Sequence, residues 1–125
     1  GVTTEPGFFR AMSAVDESGD FACVVVLTNF SSRNVDVNIA IDKAKFTPKS
    51  AVEMYNAVFS FLFSTLGVKR ATGLTGSKNI KSQKLIQQFG FLFEGRMKQA
   101  ITDDEDLVIY GLLPEGYQQH NWYRN

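Results

Sequence analysis

Two carboxylates stand where a folded chain could put them to work. Asp36 lies in the alternating run Val35 to Ile41, and Glu94 follows the strand entry Phe91-Leu92-Phe93. A carboxylate held beside an attacking group can take its proton, so both are candidate general bases. Tyr110 and His120 are outside candidates, His120 because the ordinary pKa of an imidazole suits base work near neutrality. For all four, a solvated or hydrogen-bonded structural role competes with catalysis. A different chemistry is suggested around Pro48, where Lys43, Lys45 and Lys49 surround an expected helix start. Free amides and the macrodipole make such a start attractive to anions. The competing reading is a solvated helix end with its lysines in water. Metal chemistry is not expected, because one cysteine (Cys23) and one histidine cannot furnish a structural zinc site.

The elements that must position these groups are readable from spacing. Phe8 to Val15 alternates as a strand, the Asp16 to Asp20 stretch is a turn with Gly19 free to take positive φ, and Phe21 to Thr28 reads as a strand buried on both faces. Val35, Val37, Ile39 and Ile41 alternate against Asp36, Asn38 and Ala40, the pattern of a half-buried strand. These three strands make an antiparallel meander. Thr47 as N-cap and Pro48 in the first turn open a helix carrying Val52, Tyr55, Phe59, Leu62, Phe63 and Leu66 on its apolar side, and Gly67 ends it. Val68 to Thr75 is the next strand. Asn79 caps a second helix with Leu85, Ile86 and Phe89 on one face, and Gly90 supplies its left-handed end. Phe91 to Ile101 and Leu107 to Leu113 flank the acidic tip Asp103-Asp104-Glu105-Asp106, expected as a solvated hairpin loop, and an aromatic tail follows from Pro114. Phe59, Leu62, Phe63, Leu66, Leu85, Phe89 and Phe91 are the expected core.

The order and spacing of Asn79-x-x-Ser82, Leu85-Ile86, Gly90-Phe91 and Glu94-Gly95-Arg96 resemble the "N-x-x-S … G-F … E-G" segment of the GNAT superfamily, the acyl-CoA N-acyltransferases. The resemblance is nearest the branch that includes the ribosomal-protein-alanine N-acetyltransferases, and it extends less sharply from about Gly19 to Leu113. It implies an α/β, GNAT-like fold: a mixed, mostly antiparallel sheet flanked by helices, here lacking the first strand and first two helices, which in the family usually form one wall of the acceptor site. A leading Gly without Met is consistent with tag removal or an excised fragment.

The resemblance further implies an N-acetyltransferase that moves an acetyl group from acetyl-CoA to a primary amine. The cofactor would wedge between Val35–Ile41 and Val68–Thr75, running parallel and diverging. Its pantetheine would pair with backbone around Ile39 and Ile41 and meet Asn79 and Ser82. Its pyrophosphate would sit at the helix start by Lys45, Lys49, Ser50 and Ala51, with Lys78, Lys81 and Lys84 offering charge to a 3′-phosphate. Two departures stand out. The family's glycine-rich phosphate loop is replaced by Lys45-Phe46-Thr47-Pro48-Lys49-Ser50-Ala51, in which Pro48 has no amide to donate. The place of the tyrosine acid that many relatives carry falls on Ile86.

At 125 residues the chain is expected to be one domain, 1–125. Thirteen basic residues balance thirteen acidic ones, which argues against a nucleic-acid partner. No apolar run is long enough to span a bilayer, no signal peptide is visible, and the lone buried-looking Cys23 fits a reducing, cytoplasmic setting. The expected partners are acetyl-CoA and an amine acceptor, either a small molecule or a protein N-terminus. The rival to catalysis is a non-catalytic GNAT-fold binding or dimerisation module, in which a homodimer would be the functional form.

Overall fold

A computed structural model describes residues 2–5, 10–15 and 18–125. The strands are β1 (Val2–Glu5), β2 (Arg10–Val15), β3 (Phe21–Thr28), β4 (Asn34–Ile41), β5 (Arg70–Gly76), β6 (Leu92–Thr102) and β7 (Glu105–Leu112), and the helices are α1 (Pro48–Ser60), α2 (Ile80–Gln88) and α3 (Pro114–Gln119). The strands form one sheet in the order β1-β2-β3-β4-β5-β7-β6. Every neighbouring pair is antiparallel except β4 and β5, which are parallel across the α1 crossover. A strand–helix–strand unit demands that geometry, because only a long connection can return the chain in the same direction.

The helix ends obey local chemistry. The Thr47 hydroxyl accepts from the Ser50 amide at 3.1 Å, and Asn79 Oδ1 accepts from the Ser82 amide at the same distance. Gly67 and Gly90 close their helices with φ of +72° and +88°. After Ser60 the first helix widens into a π-helical turn, Phe61–Leu66. The wider turn rotates the helix face, so Leu62 is fully buried while Phe63 and Leu66 are only half-buried.

All three helices cover one face of the sheet. Met12, Val25, Leu27, Val35, Val37, Ala71, Val108, Tyr110 and Leu112 point to that face and pack with Met54, Tyr55, Val58, Phe59, Ile86, Phe89 and Phe91. Of the expected core, Phe59, Leu62, Phe89 and Phe91 are buried. Leu85 is half-buried, and Ile86 takes the inward position.

Some expectations need correction. Strand β1, which pairs Val2 to Ala14 through Glu5 to Ala11, precedes the expected meander. Four residues with no long alternation gave no signal for it. Strand β3 is not fully buried on both faces: Val24 and Val26 are half-buried, since no helix lies over their side. The acidic tip is not merely solvated. Lys78 Nζ pairs with Asp104 at 2.7 Å, the Lys78 amide donates to Glu105 at 3.0 Å, and Ser77 and Asp106 bond to each other twice, tying the hairpin to the loop before α2. The expected strand residues Phe8 and Phe9 and turn residues Asp16 and Glu17 lie outside the described residues.

Candidate functional site

The parallel pair opens into a fork. Ladder partners are Asn34–Arg70, Val35–Ala71 and Asp36–Thr72, and there the pairing stops, although β4 runs on to Ile41 and β5 to Gly76. The bonding of β4 to β3 fixes what its free edge presents. The Asp42 amide donates to the Ala22 carbonyl at 2.9 Å, extending the β3–β4 register. Bonded and non-bonded pairs alternate in an antiparallel ladder. Asp36, Asn38 and Ala40 are therefore bonded to β3. Val37, Ile39 and Ile41 turn amide and carbonyl the other way, toward β5; the Val37 amide closes the Asp36–Thr72 rung, and beyond it the Val37 carbonyl and the Ile39 and Ile41 backbone face the fork, where no strand meets them.

Each arm of the fork leads into a helix start, α1 after Ile41 and α2 after Gly76. At α1 the capping uses up amides that an anion would need. Pro48 has none, Ser50 donates to the Thr47 hydroxyl, and Ala51 donates to the Thr47 carbonyl at 2.9 Å. The Ser50 hydroxyl is also bonded to Thr47, at 3.0 Å, and the Ala51 side chain is buried. Lys45 pairs with Asp20 at 2.8 Å, so its charge is already matched. Lys43 and Lys49 are exposed and have no ion-pair partner among the described residues. The phosphate end of the expected site is thus reduced to the Lys49 amide and two lysine side chains. Asn79 is an exposed N-cap and Ser82 a half-buried first-turn residue, both at the mouth of the second arm. Of the lysines expected near a 3′-phosphate, Lys78 is tied to the hairpin tip, while Lys81 and Lys84 are exposed.

The two carboxylate candidates share one polar row on the helix-free face. Asp36 sits on the last paired rung, its Oδ2 accepting from Asn29 at 2.8 Å and its Oδ1 from Asn34 at 3.0 Å. Thr72 donates to Asn34 Oδ1 at 2.5 Å, Arg70 Nε donates to Thr72 at 3.1 Å, and Arg70 binds Glu94 through both terminal nitrogens, at 2.6 and 3.3 Å. The Arg70–Glu94 bridge crosses β7 over Gly111, where a Cβ would overlap the Glu94 carboxylate. Glu94 is therefore a salt-bridge partner on β6, not a group at the fork. A bulge between Phe93 and Gly95 also separates it from Arg96, which pairs with Asp106 on the helix side. Sequence reasoning missed Asn34 and Thr72; their alternation with buried neighbours was visible, but the rung joining them depends on strand pairing.

The outside candidates are structural. The Tyr110 hydroxyl is buried between Gln83 and Gln87 of α2. His120 Nδ1 accepts from the Trp122 amide at 3.0 Å, which leaves Nε2 to donate to the Gln88 carbonyl at 2.9 Å. The ring lies against Gly90, where a Cβ would come within 2.6 Å of it, at the end of α2 away from Asn79. Ile86 is buried with its side chain on Gly73, a core residue with no acid to offer. Burial pushes the Cys23 thiol up to about 12, so it is inert at neutral pH. Among the described residues no group of three or more His, Cys, Asp or Glu side chains could hold a metal.

A mixed seven-stranded sheet with one short parallel pair, helices entering from both arms of the fork, is the GNAT fold, and solved structures share it. Spermidine N-acetyltransferase SpeG from Vibrio cholerae superposes at a TM-score of 0.71 over 92% of this chain and 71% of its own, at 18% identity. Its manganese-bound form gives 0.68 over 90% and 69%, again at 18% identity. A dodecameric form in an intermediate state gives 0.70 over 90% and 69%, also at 18%. At such identities the likeness establishes the fold alone, and it does not single out the ribosomal-protein-alanine branch. The sequence matches no family model and no curated protein.

Proposed function

We propose that this chain is an N-acetyltransferase that uses acetyl-CoA to acetylate a primary amine. The observation that carries the reading is the fork: a parallel pair only three rungs long, with the Val37 carbonyl and the Ile39 and Ile41 backbone free on its inner edge. An extended amide-bearing arm such as pantetheine adds to such an edge as a partial strand, by the same hydrogen bonds that a β-strand uses. Asn79 and Ser82 line the opposite arm. The phosphates fall to Lys49, its amide and Lys43, with Lys81 and Lys84 near α2. Ser50 and Ala51 contribute amides only if Thr47 releases them.

Bound acetyl-CoA would supply the activated acetyl thioester. The chain's own task is to hold the arm in the fork and to take the proton of the attacking amine, and Asp36 on the final rung is the carboxylate placed for it. The thiolate is an acceptable leaving group near neutral pH, so a core isoleucine at position 86 is compatible with transfer. The named structural neighbours acetylate spermidine, which makes spermidine the first acceptor to try here. Incubation with acetyl-CoA and spermidine, then with a panel of primary amines, is expected to release free CoA thiol in proportion to acetylated product. No release with any amine, in a sample that binds CoA, would overturn the catalytic reading.

One observation favours the second reading, a non-catalytic binding or dimerisation module. The capped α1 start and the Lys45–Asp20 pair leave little for a pyrophosphate. Under that reading, light scattering would show a stable dimer indifferent to CoA.

A further inference from the structure

The polar row at the fork has a direction, and that direction is set from the Asp36 end. A carboxylate can only accept. Asp36 Oδ1 therefore fixes the end of the Asn34 amide 3.0 Å away as the NH₂. Asn34 Oδ1 then faces Thr72, whose hydroxyl must donate to it at 2.5 Å while accepting from Arg70 Nε at 3.1 Å. Asn29 completes the arrangement: it takes φ of +50°, a left-handed conformation that asparagine tolerates, and donates to Asp36 Oδ2 at 2.8 Å. Each carboxylate oxygen thus receives one amide, and every donor in the row demands that Asp36 accept. Arg70 is itself braced by Glu94 across Gly111.

We propose that Asn34 and Thr72 are positioning residues, holding the Asp36 carboxylate at the fork in a fixed orientation as the proton acceptor for the incoming amine. The inference rests on the acetyltransferase reading, but the hydrogen-bond relay beneath it is a separate matter. A row of this kind is cooperative and directional: removing the Thr72 hydroxyl takes the donor from Asn34 Oδ1 and leaves its amide held by Asp36 alone, free to swing out of line. Thr72→Val keeps the β-branched shape and takes away only the hydroxyl, and Thr72→Ser returns it.

Two measurements test this. The first needs no activity: proton exchange of the Asn34 side-chain NH₂, followed by NMR in the CoA-free protein. It is expected to be slow in the wild type, at least tenfold faster in Thr72→Val and slow again in Thr72→Ser. Equal rates in wild type and Thr72→Val would overturn the relay, whatever the chain catalyses. The second uses spermidine with acetyl-CoA, or the first accepted amine of the panel. Thr72→Val is expected to lower kcat about tenfold with KM for the amine and for acetyl-CoA nearly unchanged, and Thr72→Ser to recover it. A Thr72→Val enzyme with full kcat, or a loss that serine does not repair, would overturn the positioning role. A protein in which the exchange pattern holds but no amine is acetylated and no CoA binds would refute the acetyltransferase reading, and with it the catalytic use of the relay, while leaving the relay as structure.

Discussion

Asp106 shows how much of this chain's surface chemistry is local. The Gln99 amide donates to its Oδ1 at 2.9 Å from a backbone with φ of +55°, and Arg96 and Lys98 bring positive charge to Oδ2 at 3.0 and 3.6 Å. The Gln99 hydrogen bond first, then the Arg96 hydrogen bond and the two charges, hold the carboxyl below its ordinary value. A folded-state pKa below the unfolded one stabilises the fold above the unfolded value of about 3.9, and the benefit drains away as pH falls through the folded value. Asp106→Asn should therefore melt lower than wild type at pH 7, with the gap closing on acidification and absent at the lowest pH. Melting temperatures between pH 7 and pH 2 check this. A gap constant across that range would mean that charge at Asp106 is irrelevant.

At the scale of elements, the first helix carries the heaviest packing. Phe59 is fully buried and meets Tyr55, Phe63, Phe89, Phe91 and Tyr117, and Phe89 adds Phe46 and Trp122. Phe59→Ala or Phe89→Ala is expected to cost about 3–5 kcal/mol, the transfer and cavity terms of a buried aromatic. Phe63, half-buried within the π-helical turn, should cost clearly less. Urea unfolding of the three variants measures the order, and equal losses would contradict it. Thr47, Asn79, Gly67 and Gly90 mark helix ends through chemistry confined to one turn, which is why those ends were legible in the sequence. The π-helical turn was not, because Phe61–Leu66 has the same apolar spacing as an α-helix. The pairing of Lys45 with Asp20 joins residues 25 apart in sequence, and no local pattern announces it. The bulge at Glu94 was equally hidden, and with it the split between Glu94 and Arg96.

For the whole molecule, the sheet's one parallel contact is the feature on which the functional account turns. The strand–helix–strand order made that contact legible from the sequence, while the backbone edge of β4 beyond it was expected only through the family resemblance. The phosphate end was not legible, since whether Thr47 caps its own helix is settled by rotamer and backbone geometry. Charge at that end is expected to come from lysine side chains, so Lys49→Ala should weaken CoA several-fold at low salt while Lys45→Ala, already matched by Asp20, changes little. Calorimetry at low salt and near physiological ionic strength, where the Debye length shortens to about 8 Å, reads both the variant and the salt effect. An equal loss in the two variants would contradict this assignment.

The central claim is that CoA lies in the fork. An NMR titration of isotope-labelled protein with CoA, to millimolar concentration, tests it most directly. The account predicts saturable shifts concentrated at the amides of Ile39, Ile41 and Lys49 and at the start of α2 around Asn79, with the His120 end of that helix unmoved. Absence of shifts at the β4 amides, or shifts gathered elsewhere on the sheet, would contradict it.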